Sequence, residues 1–148
     1  MQEKVAIIGA GYVGLPLALR FAQMGRAVFA IDVDGQKVSA LNDGRSYIHE
    51  IPSADIAEAV DRGLLEATSD FSNIQNAEAI IVCVPTPLTS NREPNLEFVL
   101  QTAHSIGSNL EKGQLVCLES TTYPGTTTGE FRMALEQSSG LKAGEEFH

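Results

Sequence analysis

An open parallel sheet covered on both faces by helices is the fold this sequence predicts, on three observations. Strand-like and helix-like segments alternate along the chain, and the strand-like runs are apolar at consecutive positions rather than at every second one. The first of these runs ends in a glycine-rich turn that opens directly into a helix. Strands that are apolar on both faces need cover on both faces, and intervening helices supply it. At 148 residues the chain has the length of one domain with a substantial core.

The elements follow in order. Val5 to Ile8 is a β-branched run closed by Gly9, and a helix is predicted from about Tyr12 to Met24. Pro16 falls about a turn inside that span, where it forfeits a backbone hydrogen bond. A shifted helix start and a functional distortion beside a binding loop are the two explanations. Ala27 to Ile31 is the second strand and Gly35 to Asn42 the next helix, with Asp34 as its cap and Asn42-Asp43-Gly44 as its stop signal. Ser53 is the expected N-cap of a helix running to about Arg62, terminated by Gly63, and Leu64 to Thr68 is a short third strand. Ala79 to Val84 is the clearest strand, ended by Pro85. Asn95 to Leu110 has helical period, with Leu96, Val99, Leu100, Ala103 and Ile106 on one stripe. Leu115 to Leu118 is the fifth strand, and Thr126 to Gln137 is again helical. Gly140 to His148 reads as a polar end without another strand. A doubly wound sheet of this type has six strands. The chain therefore reads as truncated before the sixth, with one sheet edge unpaired and open to association.

Bulk composition narrows the function. Apolar residues make up 43% and charged residues 20%, an ordinary globular balance. No apolar run approaches the ~20 residues that cross a bilayer, so no membrane span is expected. The first four residues lead straight into a strand without a secretory leader, which points to the cytoplasm. The net charge of −9, with scattered Lys and Arg, argues against a nucleic-acid surface. Cys83 and Cys117 lie in apolar runs and read as buried free thiols. His49, His104 and His148 share no metal-ligand spacing with a cysteine or carboxylate, so no metal site is expected.

An anionic ligand can still be held locally, by backbone N–H groups at a helix start. Gly9-Ala10-Gly11-Tyr12-Val13-Gly14 sits between strand and helix, the context in which G-x-G-x-x-G binds a dinucleotide. Gly9 permits the tight turn, Gly11 lets the backbone approach a pyrophosphate, and Gly14 allows close packing of the helix. Asp32 ends the second strand about twenty residues later, where an adenosine ribose diol is gripped. A carboxylate there repels a 2′-phosphate, which favours NAD over NADP. Lys37 is either a contact at the adenosine edge or a solvated helix lysine. These expectations require free amides in the turn and an acid facing the same hollow.

Ligands on open parallel sheets bind beyond the carboxyl ends of the strands. The fourth strand runs into Val84-Pro85-Thr86-Pro87, and the fifth into Glu119 to Thr127, a stretch rich in hydroxyls. Those hydroxyls suit ribose, a carboxamide or an ordered water, or else simply cap the following helix.

Four stretches carry a family resemblance: GAGYVGLPLA from Gly9, KVSALNDG from Lys37, VCVPTPL from Val82 with Arg92-Glu93-Pro94-Asn95, and LESTTYPGTT from Leu118. Together they resemble the nucleotide-sugar 6-dehydrogenases, the UDP-glucose and GDP-mannose dehydrogenases, and most of all the branch acting on UDP-N-acetylhexosamines. The resemblance implies that residues 1–148 are the Rossmann-type NAD-binding domain of a homo-oligomeric enzyme. It also implies that the central helix and the C-terminal UDP-sugar-binding domain lie beyond His148. The implied reaction takes a sugar C6 alcohol to a carboxylate with two NAD+ and a cysteine-bound thioester. The implied nucleophile sits in a G-x-C-x-P-K-D-like stretch that Cys83 and Cys117 do not match, so the chain alone is expected to be inactive. Thr121 is the one catalytic position implied here, holding a water near the nicotinamide. The implied cofactor contacts are Tyr12, Val13, Asp32, Lys37, Thr86 and Thr127. Two rivals remain: an NAD(H)-sensing regulatory module without chemistry, and a 3-hydroxyacid or 6-phosphogluconate-type dehydrogenase, in which VPTPL is not expected.

Overall fold

The computed structural model describes residues 4–148. Residues 1–3, read above as leading into the first strand without a secretory leader, lie outside the described residues. Among the described residues, five parallel strands form one sheet: β1 (Lys4–Ile8), β2 (Ala27–Ile31), β3 (Leu65–Thr68), β4 (Ala79–Val82) and β5 (Leu115–Leu118). Their order is β3-β2-β1-β4-β5, so the direction of winding reverses between β1 and β4. That reversal opens a crevice at the strand ends, where ligands of such sheets bind.

The helices are α1 (Gly14–Gln23), α2 (Gly35–Asn42), α3 (Ser53–Asp61), α4 (Glu97–Gly107) and α5 (Arg132–Ser139). Alternate residues of β1 feed two cores. Val5 and Ile7 pack with Val28 and Ala30 against Leu15, Ala18 and Leu19 of α1 and Ile56 of α3. Ala6 and Ile8 pack with Phe29, Ile31, Ile80 and Val82 against Val99, Ala103 and Ile106 of α4 and Leu135 of α5. Ile7 and Ile8 are almost fully buried on opposite faces, each contributing about 1.5–3 kcal/mol by leaving water. The predicted double cover is therefore present.

Several details differ from the sequence-based expectation. Helix α1 begins at Gly14, so Pro16 is its third residue, inside the first turn. Leu15 and Leu17 donate to Gly11 and Val13 on either side of it, and a proline is tolerated in that turn. Ser53 is the first residue of α3 and not its cap. Its Oγ instead accepts the Ser46 N–H at 2.9 Å, fastening the preceding loop. Strand β4 closes at Val82, two residues earlier than Pro85 requires. Instead of one helix from Thr126, a wide π turn at Thr127–Phe131 precedes α5, broken at Gly129.

The end of the chain is not a loose polar segment. Phe147 is buried in the core that lines α4 and α5, with Leu141 and Ala143 beside it. The His148 N–H donates to Gln114, and Val116 donates to His148, the staggered pair of a parallel ladder. The outer edge of β5 is thus partly paired at its start. At the opposite edge, the Asn42 amide donates to Ala67 O at 2.8 Å and accepts its N–H at 2.9 Å, a side chain closing part of the β3 ladder.

Candidate cofactor site

The glycine turn is built by contact. Gly9 has φ +95, a conformation costly for any residue with a Cβ. A Cβ on Gly14 would lie 1.7 Å from the Gly9 carbonyl oxygen, so a side chain there would force the backbone of the turn and the helix start apart. Gly11 differs: a Cβ there would meet nothing within 4 Å, and the position faces open space. Among the described residues, the N–H groups of Gly11, Tyr12 and Val13 have no partner within the protein. They stand at the N-terminus of α1, where the helix dipole favours an anion.

Asp32 follows β2 directly and is only 9% exposed. Its Oδ2 accepts the Ala10 N–H at 2.9 Å, and its Oδ1 accepts the Asp34 N–H at 2.9 Å. One amide of the turn is therefore taken up by the acid itself, while each carboxylate oxygen keeps a further lone pair. Lys37 Nζ lies 3.5 Å from Asp32 Oδ2, so the lysine belongs to the site's rim and is not simply solvated. Asp34 caps α2 by accepting the Gln36 N–H at 2.9 Å.

A cleft of about 400 Å³ runs along the strand ends, lined by Gly9, Gly11, Tyr12, Val13, Asp32 and Lys37 on one side. Cys83, Val84, Pro85, Thr86, Glu119, Ser120 and Thr121 line the other. Eight of the sequence-predicted positions thus meet in one hollow: Gly9, Gly11, Tyr12, Val13, Asp32, Lys37, Thr86 and Thr121. Gly14 is buried beneath the turn and shapes it from below. Thr127 is exposed in the π turn and lines neither this cleft nor the neighbouring hollow. The buried threonine of that turn is Thr126, whose Oγ1 donates to the Tyr123 carbonyl at 2.8 Å.

The sequence did not reveal a second hollow of about 370 Å³ that shares Gly9, Asp32, Lys37, Val84 and Pro85 with the first. Val33, Phe71, Phe98, Gln101 and Ser105 extend it, giving apolar walls with a few polar groups. Exposure is its signal: Val33 is 85% exposed and Phe98 46%, although both are apolar. Tyr47 was also missed. Its hydroxyl donates to the Ala10 carbonyl, and burial, with Asp32 and Asp34 nearby, raises its pKa.

Across the crevice, the Ser120 hydroxyl donates to Val84 O at 2.8 Å, tying the loop after β5 to the loop after β4. Both thiols are half-buried and free. Cys83 packs partly against the core that includes α1 and α3, as expected, and also lines the cleft. Burial chiefly, with Glu119 and Cys117, pushes its thiol up to about 11. Cys117 is also raised, by burial and by its bond to Glu119. Neither thiol is poised as a thiolate nucleophile at neutral pH.

The NAD binding domain of the UDP-glucose/GDP-mannose dehydrogenase family matches residues 3–148. The chain belongs to that family. It is 38% identical over 97% of its length to a UDP-N-acetyl-D-glucosamine 6-dehydrogenase of Pseudomonas aeruginosa, of which it covers 33%. It is 40% identical over 84% of its length to a UDP-N-acetyl-D-mannosamine dehydrogenase of Yersinia pestis, covering 29%. Its backbone superposes on the crystal structure of a GDP-mannose dehydrogenase ternary complex from Pseudomonas aeruginosa with a TM-score of 0.94 at 29% identity. That match covers all of this chain and 35% of the other. The chain thus spans about a third of the length of the relatives it matches, over the stretch that fits the family's NAD binding domain. These relatives lend no support to a sensing module or to a 3-hydroxyacid or 6-phosphogluconate-type enzyme.

Proposed function

We propose that this chain is the cofactor-holding third of an NAD-dependent UDP-sugar 6-dehydrogenase, working on a UDP-N-acetylhexosamine or UDP-glucose. The observation that carries this reading is the unpartnered run of N–H groups at Gly11, Tyr12 and Val13, set beside the Asp32 carboxylate at one end of the cleft. The donors suit a diphosphate and the acid suits a ribose diol, so the residues present fit NAD.

Asp32 accepts hydrogen bonds from the adenosine ribose, with Lys37 holding the carboxylate from outside. The apolar hollow walled by Val33 and Phe98 takes the adenine, and Gly11 lets the diphosphate settle on the amides. Thr86, Ser120 and Thr121, which line the far end of the cleft, would hold the nicotinamide end. The hydroxyls of Thr86 and Thr121 have no protein partner among the described residues and are free to orient a carboxamide or a water. NAD+, when bound, supplies the hydride acceptor. Thr121 would hold a water near the nicotinamide once cofactor and substrate are bound. The nucleophilic cysteine and the sugar-nucleotide pocket come from sequence that these residues do not include. The parent enzyme is a cytoplasmic homo-oligomer on this reading.

Calorimetric titration with NAD+ and NADP+ tests the proposal. Saturable NAD+ binding is expected, with NADP+ weaker by about tenfold or more, because Asp32 repels a 2′-phosphate in a shielded hollow. Equal affinity for the two would contradict the assignment of Asp32.

A further inference from the structure

We infer that Glu119 makes the nicotinamide end of the cleft selective for the oxidised cofactor, holding NAD+ more tightly than NADH. This rests on the cofactor reading above. The cleft lining contains three formally charged side chains, Asp32, Lys37 and Glu119. Asp32 is paired with Lys37 at 3.5 Å beyond β2. Glu119 directly follows β5, three strands away, roughly 14 Å at ordinary strand spacing.

No cation pairs with Glu119 among the described residues. Its Oε1 accepts the Cys117 thiol at 3.2 Å, which fixes the carboxylate without cancelling its charge. Cys83, the neighbouring thiol in the cleft, is protonated at neutral pH. The other residues at this end, Val84, Pro85, Thr86, Ser120 and Thr121, carry no charge. A single uncompensated negative charge therefore faces the part of the dinucleotide whose charge changes on reduction. The oxidised ring is a cation and the reduced ring is neutral, so the carboxylate attracts one and gains nothing from the other. Two turnovers of cofactor at one site, as the family reaction implies, would be served by easy exit of the reduced form.

For a unit charge several ångströms away in a water-lined cleft, the expected size is a factor of about three to ten in affinity, shrinking with added salt. The test measures dissociation constants of NAD+, NADH and ADP-ribose for the unaltered chain and for Glu119→Gln at low ionic strength. Glutamine keeps an acceptor for Cys117, so the fold is preserved. The expected result is a preference for NAD+ over NADH that falls about three- to tenfold in the variant, through weaker NAD+ binding. ADP-ribose, which lacks the ring, should bind both proteins equally. An unchanged NAD+/NADH ratio would overturn the inference, as would a loss shared by ADP-ribose. Failure of all three to bind the unaltered chain would instead strike at the cofactor reading itself.

Discussion

Asp32 and Ala10 are joined by a hydrogen bond of 2.9 Å from the Ala10 N–H to Asp32 Oδ2, across 22 positions of sequence. The acid at the tip of β2 therefore has two duties: it holds the glycine turn in shape and presents its remaining lone pairs to the cleft. Tyr47 grips the same residue from the other side, through the Ala10 carbonyl.

Removing the acid should cost both stability and affinity. Asp32→Ala is expected to weaken NAD+ binding by about 1–3 kcal/mol, the loss of hydrogen bonds to a charged partner. It should also lower unfolding free energy by about 1–3 kcal/mol, because the Ala10 and Asp34 N–H groups lose their acceptor. Calorimetry and urea denaturation separate the two effects. An affinity unchanged by the substitution would take Asp32 out of the site.

The glycines of the turn should fail in different ways. Gly14→Ala places a Cβ against the Gly9 carbonyl and is expected to destabilise the fold by about 3 kcal/mol or more, since backbone must move to admit it. Gly11→Ala meets nothing in the protein, so its denaturation midpoint should stay near that of the unaltered chain. Its NAD+ affinity should nevertheless fall about tenfold, because the methyl occupies space reserved for the diphosphate. Equal loss of stability in both variants would contradict this division of roles.

Gln114 is a structural counterpart to these residues. It is 4% exposed, and its Nε2 donates to the carbonyls of Ile74 and Ala77, each at 2.6 Å. Its Oε1 accepts the Glu111 N–H at 2.8 Å. Gln114→Leu leaves these buried groups unpaired and should cost on the order of 3 kcal/mol in urea denaturation. NAD+ affinity measured well below the melting temperature should not change.

The Cys83 thiol gives a pH dependence with a definite sign. Its pKa rises from 9.0 to about 11 on folding, so the folded chain binds more protons than the unfolded chain in that window. Its contribution to stability is full below pH 9.0 and declines as pH rises through about 11. Between those values Cys83→Ala should lose stability less steeply than the unaltered chain. In the unaltered chain, alkylation of Cys83 should be slow at pH 7 to 8, accelerate toward pH 11, and be blocked by NAD+. Rapid alkylation at neutral pH would contradict the buried, protonated state.

The parts legible in the sequence were those fixed by local chemistry. Val5 to Ile8, Ala27 to Ile31 and Leu115 to Leu118 emerge as strands because runs of this kind have few other stable homes. The Gly9–Gly14 turn and Asp32 carry their geometry in their residue types. What escaped depends on contacts between distant segments. Pro16 could be placed in the first turn of α1 only once the helix was seen to start at Gly14. Ser53 has the chemistry of a cap, but the loop at Ser46 claims its oxygen. The hollow walled by Val33 and Phe98 joins residues that lie 65 positions apart, and no periodicity marks it. Phe147 looked like part of a polar tail because its burial depends on α4 and α5 coming together.

The most direct test of the amide cradle is a titration of 15N-labelled chain with NAD+, followed through the backbone amides. The Gly11, Tyr12 and Val13 resonances should shift together and saturate at the calorimetric affinity, with residues around Asp32 and Thr121 moving in parallel. Saturable binding that left those three amides unperturbed would contradict the account.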